Sequence, residues 1–240
     1  EAMSERFSVS TQTIRRDIKH LSALDLLERY HGGAGLPPGS DKLAYSNRKV
    51  RNAAAKQSVA RAVASRIPNG SSLFIDIGTT MEAVAEALLD HEGLTVVTNH
   101  IRVAAILSQR HDFVINLAGG TVRHSDQAVT GEATADFIRR FKVGFGIFSI
   151  GCIDNDGELL DYDYRDAQTS LAAMANARHV IFAADDSKFN SDAMVRLTHL
   201  SEIDALVTNC SPPDAILAKL KANDVALTVA AGGDSKWGQP

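Results

Sequence analysis

Cysteine is scarce in this chain: two in 240 residues, Cys152 and Cys210. Both sit in apolar, strand-like contexts and share no metal-ligand spacing. A disulfide scaffold and a zinc module are therefore excluded, and the thiols read as small buried hydrophobes in a reducing compartment. No apolar run approaches a membrane span and no signal-peptide pattern opens the chain, so the expected location is the cytoplasm, with no membrane partner. Charge of one sign is also missing. The net charge is −4, so any DNA contact must come from a local basic surface. No Gly-Lys-Ser/Thr follows a glycine loop, which excludes a nucleotide P-loop, and no cofactor or metal is implied. What is present is ordinary globular composition, 45% hydrophobic and 22% charged, in a length that suits one sizeable domain and one small one.

The most informative segment lies near the start, Ser8-Val9-Ser10-Thr11-Gln12-Thr13-Ile14-Arg15-Arg16-Asp17-Ile18. Met3 to Phe7 reads as a short helix running into a polar turn, after which a second helix opens. Ser10 can cap that helix by accepting an orphan N–H. Thr11, Gln12 and Thr13 are short enough to reach base edges in a major groove. Arg15, Arg16 and Lys19 lie about one turn further on and suit phosphates. Ile14, Ile18 and Leu21 recur at helical spacing and pack inward. The same pattern also describes a plain amphipathic helix after a polar turn. Leu26 to Tyr30 then reads as a short strand and His31 to Gly35 as a glycine turn, the hairpin wing expected after a recognition helix. Residues 1–36 hold five Lys/Arg and five Asp/Glu, so the module is neutral overall, although its second helix is locally positive.

Leu36-Pro37-Pro38-Gly39-Ser40 breaks both helix and strand and reads as a linker. Tyr45 to Ile67 reads as one basic helix between domains, with Arg48, Lys49, Arg51, Lys56, Arg61 and Arg66 on a face that can meet DNA or simply solvent. From residue 71 apolar strands alternate with helices, which predicts an α/β fold with a mostly parallel sheet covered on both faces. The expected division is 1–36 for the helix-turn-helix, 37–67 for linker and connecting helix, 68–231 for the α/β domain, and 232–240 for a loose tail.

In open α/β sheets ligands bind beyond the carboxyl ends of the strands, and the suggestive residues fall there. Asp76-Ile77-Gly78-Thr79-Thr80 follows a strand and opens a helix. Gly78 permits close backbone approach, and Thr79 and Thr80 stand beside free N–H groups, which suits a phosphate; a plain turn with a threonine cap fits as well. Thr98-Asn99 and Ala118-Gly119-Gly120-Thr121 follow two further strands. Asp154-Asn155-Asp156-Gly157 lacks calcium-loop spacing and reads as a hairpin turn. Asp161 and Asp163 can accept hydrogen bonds from sugar hydroxyls or cap the next helix. Lys188 can neutralise a phosphate, or be an ordinary solvated lysine.

Taken together, these strings resemble the DeoR family of bacterial transcription regulators. Ser8 to Ala34 carries that family's V-S-x-x-T-I-R-R-D pattern and the following H-G-G-A. The remainder carries Asp-Ile-Gly-Thr-Thr (76–80), Val-Thr-Asn (97–99), Leu-Ala-Gly-Gly (117–120), Gly-Glu-Ala (131–133), Asp-Tyr-Asp (161–163) and Asp-Ser-Lys-Phe (186–189). Within the family the C-terminal half most resembles the repressors of glycerol-3-phosphate metabolism. The resemblance implies a partial winged helix-turn-helix, with residues missing ahead of Glu1, followed by an effector domain similar to ribose-5-phosphate isomerase. It implies operator contacts at Thr11, Gln12, Thr13, Arg15, Arg16, Lys19 and His31. It implies a phosphorylated sugar or polyol near Asp76, Gly78, Thr79, Thr80, Thr98, Asn99, Gly119, Gly120, Asp161, Asp163 and Lys188. A homodimer or homotetramer is expected, because such proteins read two half-sites. Two departures bear on the effector: Met81 stands where many relatives have Ser or Thr, and Asp186 and Asn190 stand where many have His and Gly.

The alternative is a sugar-phosphate isomerase-type enzyme with Asp161 or Glu158 as general base. The N-terminal module has no purpose in that account, which favours the regulator.

Overall fold

The computed structural model describes residues 2–23, 28–30, 33–35 and 41–230. The chain divides into two compact units, Glu1–Asn47 and Arg48–Pro240. In the first, α1 (Ala2–Phe7) and α2 (Thr11–Ala23) flank a turn in which Ser8 takes a left-handed φ of 51°. Ser10 caps α2: its Oγ accepts from the Thr13 backbone N–H at 3.1 Å and lies 2.9 Å from the Thr13 hydroxyl. A capping hydroxyl of this kind is worth about 1 kcal/mol. Ile14, Ile18 and Leu21 are half-buried, whereas Arg15, Arg16 and Lys19 are exposed. β1 (Glu28–Tyr30) pairs antiparallel with β2 (Gly33–Gly35), so part of the expected glycine turn is strand. His31, the 36–40 linker and the tail after residue 231 lie outside the described residues.

One expected helix is two. α3 (Asp41–Val50) and α4 (Ala53–Ala64) are separated at Arg51 and Asn52. Asn52 takes the left-handed conformation, φ 56° and ψ 30°, which asparagine tolerates better than most residues. Lys56 is not on a solvent or DNA face. It is buried, and its ammonium donates to the carbonyls of Arg48 and Arg51 at the end of α3.

The rest of the second unit alternates as predicted: β3 (Ser72–Ile75), α5 (Thr79–Ala87), β4 (Thr95–Thr98), α6 (Ile101–Leu107), β5 (Val114–Leu117), the small hairpin β6 (Thr121–Val122) and β7 (Val129–Thr130), α7 (Glu132–Ile138) and β8 (Val143–Phe148). There follow β9 (Cys152–Ile153), β10 (Glu158–Asp161), α8 (Tyr164–Met174), β11 (Ala177–Ala184), β12 (Val195–His199), β13 (Ala205–Thr208), α9 (Asp214–Ala222) and β14 (Ala226–Val229). Seven strands form one sheet in the order β14-β13-β11-β8-β3-β4-β5, every pair parallel. β9 and β10 form the hairpin expected around Asp154 to Gly157, and β12, which the sequence pattern does not single out, joins them in a three-stranded antiparallel sheet.

Strand periodicity sends alternate side chains to opposite faces. Leu73, Ile75, Ile147, Ile181 and Val207 pack under α4, α5 and α6 with Val59, Val84 and Leu107. Phe74, Phe148, Phe182 and Leu206 pack on the other side with Ile138 of α7, Ala173 of α8 and Ile216 of α9. Phe148 lies in the middle of an aromatic row, its ring centroid 5.5 Å from Phe74 and 5.3 Å from Phe182. Gly146 makes room for it, since a Cβ there would fall 2.6 Å from the Phe148 ring. Phe148→Ala is expected to cost about 3–5 kcal/mol. The check is urea unfolding of the whole chain, which should show a lower midpoint at an unchanged slope.

Candidate functional site

From β3 the chain builds outward through β4 to β5, then returns to lay β8, β11, β13 and β14 on the other side. β3 and β8 are neighbours whose connections leave in opposite directions, and that switch opens a crevice at their carboxyl ends. The first turn of α5 stands there. Gly78 is its N-cap, at φ 114° and ψ 163°, and no side chain caps the helix. A Cβ at Gly78 would fall 3.0 Å from Ser149 Oγ, whose hydroxyl donates to the Ile77 carbonyl at 2.8 Å. Both φ and space thus require glycine. The hydroxyls of Thr79 and Thr80 make no hydrogen bond among the described residues. The α5 N-terminus therefore presents unengaged donors and the positive end of a helix dipole.

Buried carboxyls surround this turn. Asp76 ends β3, is 3% exposed and accepts from Ser170 Oγ of α8 at 3.1 Å; burial pushes it well above the usual carboxylate range. Burial raises Asp161 as well. Asp163 caps α8, accepting from the Arg165 N–H at 2.7 Å. Asp166, on the same helix, is pushed up to about 6, first by burial and then by Asp161 and Asp163, with Arg123 opposing. Arg123 gathers three carboxylates: Asp126 and Asp166 at 2.8 Å each and Asp163 at 3.2 Å. Despite its own burial, Asp126 is held below its ordinary value by this arginine.

Across the crevice, beyond β11, Asp185 Oδ1 accepts from Ser187 N–H at 3.1 Å, Ser187 Oγ at 2.6 Å and Asn52 Nδ2 at 2.9 Å. Burial opposes these bonds, yet they keep Asp185 low. Lys188 follows in a short 3-10 turn (Asp186–Asn190). Burial depresses its ammonium, with Asp185 pulling the other way.

Several expected residues have other work. Thr98 Oγ1 is fully buried and accepts from the His100 N–H at 3.1 Å. Asn99 donates to the Val129 carbonyl at 3.0 Å and leaves its buried Oδ1 without a partner. Gly119 accepts from Thr134 Oγ1 at 2.9 Å, and at Gly120 a Cβ would fall 2.2 Å from that same oxygen. This glycine pair is where the loop after β5 meets Thr134 of α7. Met81 is fully buried in the core, so its replacement of a hydroxyl removes nothing from the crevice surface. Asp186 Oδ1 accepts from Asn209 Nδ2 at 3.1 Å, and its backbone N–H donates to Asn209 Oδ1 at 2.8 Å. Sequence reading missed Arg123, Asp126, Asp166 and Asn52, none of which stands in a strand-to-helix motif. The spacing of Asp163 and Asp166, one helical turn apart, is the one local signal they carry.

Residues 51–210 match the DeoR C terminal sensor domain, and residues 1–38 match the DeoR-like helix-turn-helix domain. The chain belongs to the DeoR family. It is 47% identical over 227 residues to the glycerol-3-phosphate regulon repressor of Escherichia coli (strain K12), a match covering 95% of this chain and 90% of that protein. It is 45% identical over 232 residues to the repressor of the same name from Haemophilus influenzae, covering 97% and 90%. Among solved structures, ribose 5 phosphate isomerase A from Neisseria gonorrhoeae aligns with a TM-score of 0.40 at 14% identity, over 57% of this chain and 53% of that one. With a DeoR DNA-binding domain and a DeoR sensor domain on one chain, the protein is a transcriptional regulator and not an enzyme. Among the described residues no helix is long and apolar enough to cross a membrane.

The raised carboxyls give the DeoR sensor domain a pH signature. Glu82, in the first turn of α5, is pushed from 4.5 to about 7 by burial, with Arg102 opposing and the half-exposed Lys49 ammonium 3.0 Å from its Oε2. The folded chain therefore holds a proton there that the unfolded chain has released, so stability falls as pH rises between about 4.5 and 7. Glu82→Gln cannot titrate, and it is expected to flatten the decline of melting temperature across that window. An unchanged decline would place the titration elsewhere.

Proposed function

We propose that this regulator is a cytoplasmic repressor of a carbohydrate or polyol catabolic operon, controlled by a small phosphorylated polyol or sugar of the glycerol 3-phosphate class. The observation that carries the reading is the first turn of α5 at the topological switch, which begins at Gly78 with no side-chain cap, in a chain 47% identical to a glycerol-3-phosphate regulon repressor. A phosphate on that turn meets backbone N–H groups and the helix dipole together. Lys188 adds a charge-assisted contact. Asp161 and Asp163 receive the hydroxyls, with Asp76 beside them, while Thr98, Asn99, Gly119 and Gly120 back the site through their internal bonds.

On the DNA side, Thr11, Gln12 and Thr13 face base edges, while Arg15, Arg16 and Lys19 hold phosphates, joined by His31 from the wing. The α2 arginines are exposed and its apolar residues are not, which supports that orientation. Two half-sites require a two-fold assembly, a homodimer or homotetramer held by the sensor domains.

Arg15→Ala in a full-length form is expected to lose about 1–3 kcal/mol of operator binding if it reads a base. Gel shift measures this, and unchanged affinity in both Arg15→Ala and Arg16→Ala would remove α2 from the operator. For the effector, calorimetry with a panel of sugar and polyol phosphates should find one ligand whose affinity drops in Thr79→Ala and Lys188→Ala. Equal affinity in both variants, or binding of unphosphorylated sugars alone, would overturn the phosphate site.

A further inference from the structure

The break between α3 and α4 is held to the two elements that border the proposed phosphate site. On one side Lys49 Nζ lies 3.0 Å from Oε2 of Glu82, in the first turn of α5. Glu82 is 2% exposed, so this anchor is fixed in the body of the domain. On the other side Asn52 Nδ2 donates to Asp185 Oδ1 at 2.9 Å, three residues before Lys188. Asn52 keeps a left-handed backbone to make that bond. Lys56 closes the arrangement by tying down the carbonyls of Arg48 and Arg51. The five residues 48–52 thus stretch from the start of α5 to the end of β11, along the rim of the crevice.

Cations gather on this rim. Arg48, Arg51, Lys56 and Lys188 act on one another electrostatically, with Asp185 and Asp161 opposing them. Burial first, and then these neighbouring cations, press both lysines below the ordinary lysine range. The Asp185 oxygen that faces Asn52 is already occupied by three donors. Arg48 and Arg51 are exposed and stand in no ion pair among the described residues. A phosphate monoester carries close to two negative charges at neutral pH, and guanidinium groups match its oxygens in pairs.

We infer that Arg48 and Arg51 are ligands of the effector's phosphate, so that the α3–α4 junction forms the third side of an anion site whose other sides are the α5 N-terminus and Lys188. This rests on reading the crevice as a phosphate site. It assigns to two residues of the supposed connecting helix a place in ligand recognition. It also makes the junction a part of the protein whose electrostatic balance changes with ligand occupancy, because the anion sets negative charge beside these cations when it is present.

The test is calorimetric titration of the whole chain with inorganic phosphate and with glycerol 3-phosphate. Parent, Arg48→Ala, Arg51→Ala, Arg51→Lys and Thr79→Ala are compared at low and high salt. Each alanine variant of the arginines is expected to bind both probes roughly tenfold more weakly, at an unchanged melting temperature, with Arg51→Lys intermediate. If both arginine variants bind within twofold of the parent while Thr79→Ala is weakened, the phosphate site stands and this inference falls. If the arginine variants are weakened and Thr79→Ala is not, the junction holds the anion and the α5 reading falls instead. A parent chain that binds neither probe at millimolar concentration overturns both.

Discussion

Both faces of the seven-stranded sheet are covered by helices, so the sheet can offer polar groups to a ligand only along the ends of its strands. That constraint follows from parallel pairing, which needs helical crossovers and buries the strands on both sides. Leu73, Phe74, Ile75, Ile147, Phe148 and Phe182 are all fully or nearly fully buried, and the first charged residue after β3 is Asp76. The reversal of strand order between β3 and β8, whose connections leave to opposite sides, then decides where along the strand ends the gap opens. Gly78, Ser149, Asp161 and Lys188 are drawn together by that reversal, although they are spread over more than a hundred residues of sequence.

The crevice is electrostatically divided. Its α8 side is rich in carboxyls and has one arginine, Arg123, shared among three of them. Asp76 and Asp161 lie beyond that arginine's direct reach and are displaced upward by burial. Its β11 side is rich in cations and has Asp185 as the fixed anion. A compound with an anionic end and a hydroxylated end matches such a division, because carboxylates accept from hydroxyls while the cations accept charge. An isomerase-type base would need a carboxylate free to move a proton at carbon. Of the two carboxyls that reading names, Asp161 accepts from the Tyr162 N–H at 2.6 Å, and Glu158 pairs with Arg196 at 3.0 Å.

Most of this architecture is legible in the sequence because it is periodic. Each strand of the main sheet is a short apolar run bounded by polar or glycine residues, and each run falls within a residue or two of the observed strand. Ser10 is legible as a cap because capping is a local interaction between residues three apart. What escapes is what depends on distant partners. β12 exists through its pairing with β10, a distant partner whose register runs from Glu158↔His199 to Asp161↔Val195. The break at Asn52 contains neither glycine nor proline, and the apolar spacing runs on past it. Asn52 there donates to Asp185 across 133 positions, a partner no local pattern announces. Arg123 lies in a polar loop with no pattern of its own and acquires meaning only when α8 brings Asp163 and Asp166 beside it. Thr98 and the glycine pair 119–120 show the converse: their motifs are real, but their side of the bargain is internal, with His100 and Thr134 as partners.

The aromatic row of Phe74, Phe148 and Phe182 runs across β3, β8 and β11, the three strands whose ends border the crevice. Backbone amides in such a region exchange with solvent only when a large part of the domain opens, whereas those of exposed loops exchange through local fluctuations. The floor of the crevice is thus the slowest-exchanging layer of the sensor, and the turns that rise from it can reorder without disturbing it. Were the proposed effector to bind there, it would meet turns that stand on a fixed layer of phenylalanine.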